Sequence, residues 1–331
     1  MTTRRVTWLW TGGLVVLGLA LVPGLGRGQV KPKIVLFSQQ QVQTTAFEMA
    51  QEQGYFAEEG IEVTFRYFPS GTTAFQAFRT GQGDIIFSGD VPAIRNWSES
   101  GRAYRVVAPV EKNAKGYGFV TTTAIKSPAD VRSKKIATRV GSSGSHFVWA
   151  FLRKHGMTEK DVTVVNLDGP AMVAALDRGD IDGFFLWAPY PQRALEVSGS
   201  KVHMLANADA VVSGYYTVLS AREEWIRQNS ATLAKFLRAS VKGQEYVRKN
   251  KDAVLAYLQR KFGLEPPKAA GEYDVIQFLL RFDESFYKDF EGFAGWMRET
   301  DMLKDRLDWP RFVHLDALQA VDRGLAVPPP R

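Results

Sequence analysis

The chain contains no cysteine in 331 residues. That absence excludes a disulfide framework, a thiol nucleophile, a soft metal ligand and a cysteine that could carry lipid behind an export signal. Histidine is scarce too: His146, His155, His203 and His314 are scattered without metal-ligand spacing, so no metal and no cofactor is expected. Positive charge is in small excess, with 42 Lys and Arg against 35 Asp and Glu. Three of the bases, Arg4, Arg5 and Arg27, lie in an acid-free stretch of 28 residues; without them 39 bases face 35 acids, about +4. So few and scattered charges do not make the clustered basic face that nucleic acid wants. After Val22 no run is long and apolar enough to cross a bilayer. The 45% hydrophobic and 23% charged content is that of a soluble globular protein, and the length suits two lobes of ordinary domain size.

The N-terminus reads as an export signal. Arg4 and Arg5 precede the apolar run Val6 to Val22, and Pro23, Gly24, Gly26 and Gly28 supply small residues where cleavage would fall. Residues 1–28 are assigned as signal peptide; a retained anchor is the alternative, weakened by Gly12, Gly13 and Gly18. An exported protein without a lipid tether stays near its cell only behind an outer barrier, so the expected location is the periplasm.

From Ile34 to Tyr190 the chain repeats itself: strand, loop, helix, strand, helix, strand, twice. Ile34, Gly54, Val63 and Phe65 match Ile136, Gly156, Val165 and Leu167 at a spacing of 102; Ala77, Gly81 and Asp84 match Ala175, Gly179 and Asp182 at 98. Alternating strands and helices predict α/β lobes with mainly parallel sheets, whose ligands gather at the carboxyl ends of the strands. Residues 29–117 and 213–331 are assigned to lobe 1 and 118–212 to lobe 2, with two chain crossings acting as a hinge. In ATLAKFLRASVKGQEYVRKN, Leu233, Phe236, Leu237, Val241 and Val247 trace one apolar stripe of a core-packed helix.

Four turns after strands should line the cleft between the lobes. Gly141–Ser145, GSSGS, opens a helix, and such starts offer unpaired N–H groups, hydroxyls and the positive end of a dipole to an anion. Plain capping by Ser145 would need only one of those serines. Ser70-Gly71-Thr72-Thr73, with Thr72 or Thr73 as cap, and Ser88-Gly89-Asp90, with Asp90 as cap, repeat the chemistry in lobe 1. GSSGSHF lacks the lysine of a P-loop, which disfavours phosphoryl transfer. The fourth turn presents Trp187 and Tyr190, suited either to covering a ligand's organic part or to packing lobe on lobe. Tyr117, Phe119, Tyr215 and Tyr216 sit at the crossings, as ligand contacts or hinge packing, and His146 either orients a ligand oxygen or begins a helix. Asp84 and Asp182 share one repeat position and read as structural turns.

Together GYFAEEGIEV, FPSGTTAFQAFRTGQGDIIFSGDVPAI, KKIATRVGSSGSHFVWAFLRKHGMTEKDVTVVNL and AALDRGDIDGFFLWAPY resemble the substrate-binding proteins of bacterial ABC importers. The branch is that of nitrate-, sulfonate- and taurine-binding proteins and thiamine-pyrimidine-precursor binders, and the likeness runs to about Gly263. The resemblance implies a type II periplasmic binding protein fold, closure on one ligand and docking on an inner-membrane permease. It carries ligand contacts to Ser38, Gln39, Ser70, Gly71, Ser88, Gly89, Asp90, Ser142, Ser143, Ser145, Trp187 and Tyr190. One departure is the glutamine-rich first loop, SQQQVQTT, where the pattern has smaller or more apolar residues. A pyrimidine synthase of thiamine biosynthesis shares the fold but is marked by a cysteine-rich motif that this chain lacks. The expected function is capture of a small organic anion by a monomeric, non-enzymatic protein; a neutral heteroaromatic ligand and an enzyme on the same fold are the alternatives.

Overall fold

The computed structural model describes residues 1–2 and 31–330; the signal-peptide assignment rests on residues outside that range. Among the described residues no helix is long and apolar enough to cross a membrane. Strand β1 (Lys33–Ser38) carries KIVLF, with Ile34, Leu36 and Phe37 all buried, as a strand covered on both faces requires. It pairs in parallel with β2 (Glu62–Tyr67) and β3 (Ile85–Gly89). Strand β4 (Tyr104–Asn113) completes the first pass, and the chain crosses over 114–116 into β5 (Tyr117–Thr122). The second pass runs β6 (Lys135–Thr138), β7 (Thr163–Asn166), β8 (Gly183–Trp187) and β9 (Val202–Asn207). A return over 208–214 leads to β10 (Tyr215–Arg222), and β11 (Gln277–Phe278) follows from the tail.

Two sheets result, ordered β11-β4-β10-β3-β1-β2 and β7-β6-β8-β5-β9. Each takes in, beside its third repeat strand, the first strand formed after a crossing: β10 lies antiparallel to β3, and β5 antiparallel to β8. The expectation of mainly parallel sheets therefore holds for the pairings among β1–β3 and among β6–β8, while every strand-to-strand pairing made by β4, β5, β9, β10 and β11 is antiparallel, an isolated parallel bridge from Val106 to Val313 aside. The sheets are mixed because the crossing strands enter from the other end.

The duplication is present, with its first matches displaced. Asp84 Oδ2 accepts the N–H of Val35 and Asp182 Oδ2 that of Lys135, each at 2.8 Å, so these aspartates are structural turns and Val35 corresponds to Lys135 at a spacing of 100. Register then equates Thr64 with Thr163, a spacing of 99. Matching Ile34 to Ile136 was thus two residues out, a slip that leaves every side chain on the same face, and matching Val63 to Val165 was three out.

The helices that matter for the cleft are α1 (Thr45–Glu52), α2 (Tyr55–Glu58), α3 (Gly71–Phe78), α4 (Asp90–Glu99), α5 (Ser143–Lys154), α6 (Gly169–Arg178) and α7 (Tyr190–Ser198). Beyond them come α8 (Glu223–Gln228), α9 (Ser230–Lys249), α10 (Lys251–Phe262), α11 (Pro266–Val275) and α12 (Glu284–Glu299). The striped helix is α9, which buries Leu233, Phe236, Leu237 and Val247. Three caps differ from expectation. Ser70 caps α3, closing a box with Thr73; Gly89 caps α4, so that Asp90 is its first helical residue; and Ser142, not Ser145, caps α5. In each case the cap is the residue with extended backbone, where a side-chain oxygen or the bare backbone can meet the first turn. One apolar core runs through both sheets, joining Leu36 and Phe87 to Phe119, Phe147 and Phe185.

Candidate functional site

The carboxyl ends of both sheets meet at two adjoining chambers. The inner one, about 40 Å³, is bounded by Gln39, Gln41 and Gln43 after β1, Ser70, Gly71 and Thr72 at α3, Gly89 and Pro92 at α4, and Thr217 of β10. From the other sheet come Tyr117, Trp187, Ser142 and Ser143. The outer chamber, about 300 Å³, shares Gln39, Gln41 and Trp187 with it and adds Gln40, Tyr67, Phe68, Pro69, Ala188, Pro189 and Tyr190. None of these residues is Lys, Arg, His, Asp or Glu.

The inner chamber is therefore polar without a lining charge. Beside the glutamine amides, hydroxyls and indole of the lining, its donors include backbone groups: the first N–H groups of a helix have no partner inside it. No described residue accepts from the N–H of Gly71 or Thr72 at α3, or of Ser143 at α5. These three groups come from the starts of two helices, one following each sheet, and the positive dipole ends add to them. The serine hydroxyls are mostly engaged elsewhere. Ser70 Oγ accepts from Thr73 N–H; Ser142 Oγ donates to the Arg139 carbonyl at 2.6 Å and accepts from Gly144 N–H. Ser145 accepts from Gly141 N–H and donates to the Arg139 carbonyl, facing a separate groove.

Ser143 Oγ donates to Asp90 Oδ1 at 2.7 Å, a buried bond between α5 and α4 and thus between the two halves of the cleft. Asp90 also accepts from the N–H groups of Val91 and Tyr216, at 2.7 and 2.8 Å. Burial raises its carboxyl to about 6, against the pull of those bonds. It does not line either chamber: the helix start expected to receive a ligand at Ser88-Gly89-Asp90 already holds a carboxylate of its own. Behind Thr217, and paired with it across β10 and β4, sits Glu111. It is wholly buried, neither oxygen has a hydrogen-bond partner among the described residues, and burial pushes it up to about 8. The Thr217 hydroxyl favours its charged form without completing a hydrogen bond, and the charge of Asp90 opposes it.

Of the residues expected at the ligand, Gln39, Ser70, Gly71, Gly89, Tyr117, Ser142, Ser143 and Trp187 line the inner chamber, and Tyr190 the outer. Ser38, Ser88, Asp90, Ser145, His146 and Tyr215 line neither. His146 and Tyr215 need correction most: His146 Nδ1 meets the Tyr215 hydroxyl at 3.0 Å, and Phe293 and Trp296 of α12 close over the imidazole. Burial there lowers His146 to about 4. The pair is packing between α5, β10 and the tail, so the tail beyond Gly263 bears on the cleft through these rings. Gln41, Gln43, Thr217, Tyr67 and Phe68 were missed. The glutamine-rich loop was the available signal for the first two; Thr217, Tyr67 and Phe68 lie at strand ends that look ordinary in sequence.

No group of His, Cys, Asp or Glu among the described residues could hold a metal ion. A family model described as NMT1/THI5 like matches residues 41–254. The chain is 26% identical over 214 residues to a putative aliphatic sulfonates-binding protein of Escherichia coli, covering 64% of this chain and 66% of that one. It is 28% identical over 209 residues to the taurine-binding periplasmic protein of the same organism, covering 63% and 65%. These matches thus span just under two thirds of the relatives' lengths. In fold the chain is similar to the alkanesulfonate-binding protein SsuA of Xanthomonas axonopodis pv. citri bound to MOPS. The TM-score is 0.72 at 19% identity, over 85% of this chain and 97% of that one. The desulfurization enzyme DszB is a further neighbour in fold, at TM-score 0.67 and 15% identity over 88% and 99%.

Proposed function

The chain belongs to the NMT1/THI5-like family, and from that membership we propose that it is the solute-binding component of an ABC importer that captures a small organic oxyanion of the sulfonate class. The observation that carries the reading is the trio of unpartnered N–H groups at Gly71, Thr72 and Ser143, residues of two helix starts that line one small polar chamber. About 40 Å³ is roughly three times what a single water needs, room for one oxyanion head and little else. Lobe 1 comprises residues 31–116 and 213–330 and lobe 2 residues 117–212, the expected boundary moving by one because Tyr117 opens β5, and the two open and close about the crossings. The protein acts as a monomer in the periplasm after export by its N-terminal signal, hands its ligand to an inner-membrane permease, and has no enzymatic role. The sulfonate- and taurine-binding relatives support the sulfonate class, and the absence of any cysteine or acid among the chamber residues supports binding over catalysis.

A neutral heteroaromatic ligand is the second reading, favoured by the lack of any basic side chain in the lining. Isothermal titration of the mature protein with ethanesulfonate, taurine, nitrate and an aminopyrimidine separates the two. Saturable one-to-one binding of an oxyanion is expected; binding of the aminopyrimidine alone would overturn the reading.

A further inference from the structure

The inner chamber holds a headgroup, and the larger space beside it is built as a slot. Resting on the oxyanion reading, we infer that the outer chamber binds an uncharged planar ring, so that the ligand is an aryl oxyanion rather than a short alkyl one.

Two walls face that chamber, one from each sheet. Tyr67 and Phe68 stand at the end of β2, and Trp187 and Tyr190 at the end of β8 and the start of α7. Tyr67, Phe68 and Tyr190 are held from behind by the protein itself. Tyr67 donates its hydroxyl to Glu48 Oε1 at 2.9 Å, and its ring is 6.1 Å from that of Phe65. Phe68 lies 4.6 Å from the Phe37 ring centroid. Tyr190 rests flat on Gly169 at the start of α6, where a Cβ would fall 2.5 Å from ring atoms, so only glycine lets it lie there. Aromatic walls fixed in advance cost little further ordering on binding, and stacked or edge-on rings are worth about 0.5–1.5 kcal/mol beyond the area they bury. The boundary between the chambers is made by Gln39, Gln41 and Trp187, whose amides and indole N–H can meet the polar edge where ring and head join. With no charged side chain in the lining, a second charge on the ligand's body has nothing to pair with.

Isothermal titration of the mature protein with ethanesulfonate, benzenesulfonate and naphthalene-2-sulfonate tests this. The aryl compounds are expected to bind at least tenfold more tightly than ethanesulfonate. Tyr190→Leu, and separately Phe68→Leu, should shrink that ratio to about threefold or less, with either variant sufficient if the other fails to fold. Equal affinity for aryl and alkyl sulfonates, or a ratio unmoved in both folded variants, would overturn the inference and leave the oxyanion reading standing. Failure of all three compounds to bind would overturn that reading and the inference with it.

Discussion

Glu111 offers a test that needs no ligand. Its carboxyl is wholly buried behind Thr217, both oxygens lack partners among the described residues, and burial raises it from the ordinary 4.5 to about 8. Between those two values the folded protein holds a proton that the unfolded chain has released, so stability falls as pH rises. The advantage is fully present below pH 4.5 and gone by about pH 8. At ~1.4 kcal/mol per pH unit the gap from 4.5 to about 8 amounts to roughly 5 kcal/mol as a ceiling, about 4 of it between pH 5 and pH 8. Glu111→Gln keeps the shape of the neutral acid and removes its titration. Urea unfolding of parent and variant at pH 5 and pH 8 should show the parent losing more stability than the variant, by up to about 4 kcal/mol. Asp90, raised to about 6, and Glu272, raised to about 7, titrate in both proteins and cancel in the comparison. The same pH dependence in both proteins would refute the claim that this acid is buried neutral.

Two further substitutions probe how the halves of the cleft are tied. Ser143→Ala removes the 2.7 Å bond to Asp90 and leaves that buried carboxylate one donor short. Ligand affinity should fall by about 1.5–3 kcal/mol, more than tenfold, whereas Ser145→Ala, whose hydroxyl only closes its own loop, should change it little; titration of both variants with the same sulfonate decides. Asp289 of α12 accepts from Lys112 Nζ at 2.7 Å, Ser213 Oγ at 2.7 Å and the Tyr216 hydroxyl at 3.1 Å, clasping the tail to residues beside both crossings. Asp289→Ala strands the half-buried Lys112 ammonium and should cost roughly 3 kcal/mol in urea unfolding at pH 7; a loss under about 1 kcal/mol would mean that the cluster is solvated and holds nothing.

Much of the architecture was legible because the repeat is written in features that tertiary context rarely overrides. Gly81 and Gly179 end matching helices at φ of 83° and 78°, and Asp84 and Asp182 tie matching strands. The alignment of β1 with β6 was less secure for a physical reason: a period of two admits a two-residue shift without changing which side chains are buried, and only the aspartate bonds reveal it; the three-residue error at β2 and β7 has no such excuse. Helix starts rich in Ser, Gly and Thr were legible as places where backbone donors gather. Which atom does the work was not, because a serine beside a helix start has several acceptors within reach, and here Ser142 and Ser145 both turn back to the Arg139 carbonyl. Asp90 was misplaced by one step for the same reason, since cap and first helical residue differ only in backbone angle. Thr217, Glu111 and Gln43 converge from β10, β4 and the loop after β1, a convergence set by which strand each sheet receives after a crossing. Local sequence carries no record of that exchange. Thr217 Oγ1 and Gln43 Oε1 in the lining, with Glu111 and Ser38 Oγ outside it, are all unpartnered among the described residues and mark the region where folding has left hydrogen-bonding capacity unused. Leaving such groups unmet costs stability in a free protein, and a cleft that closes around a ligand is the place where that cost has a use.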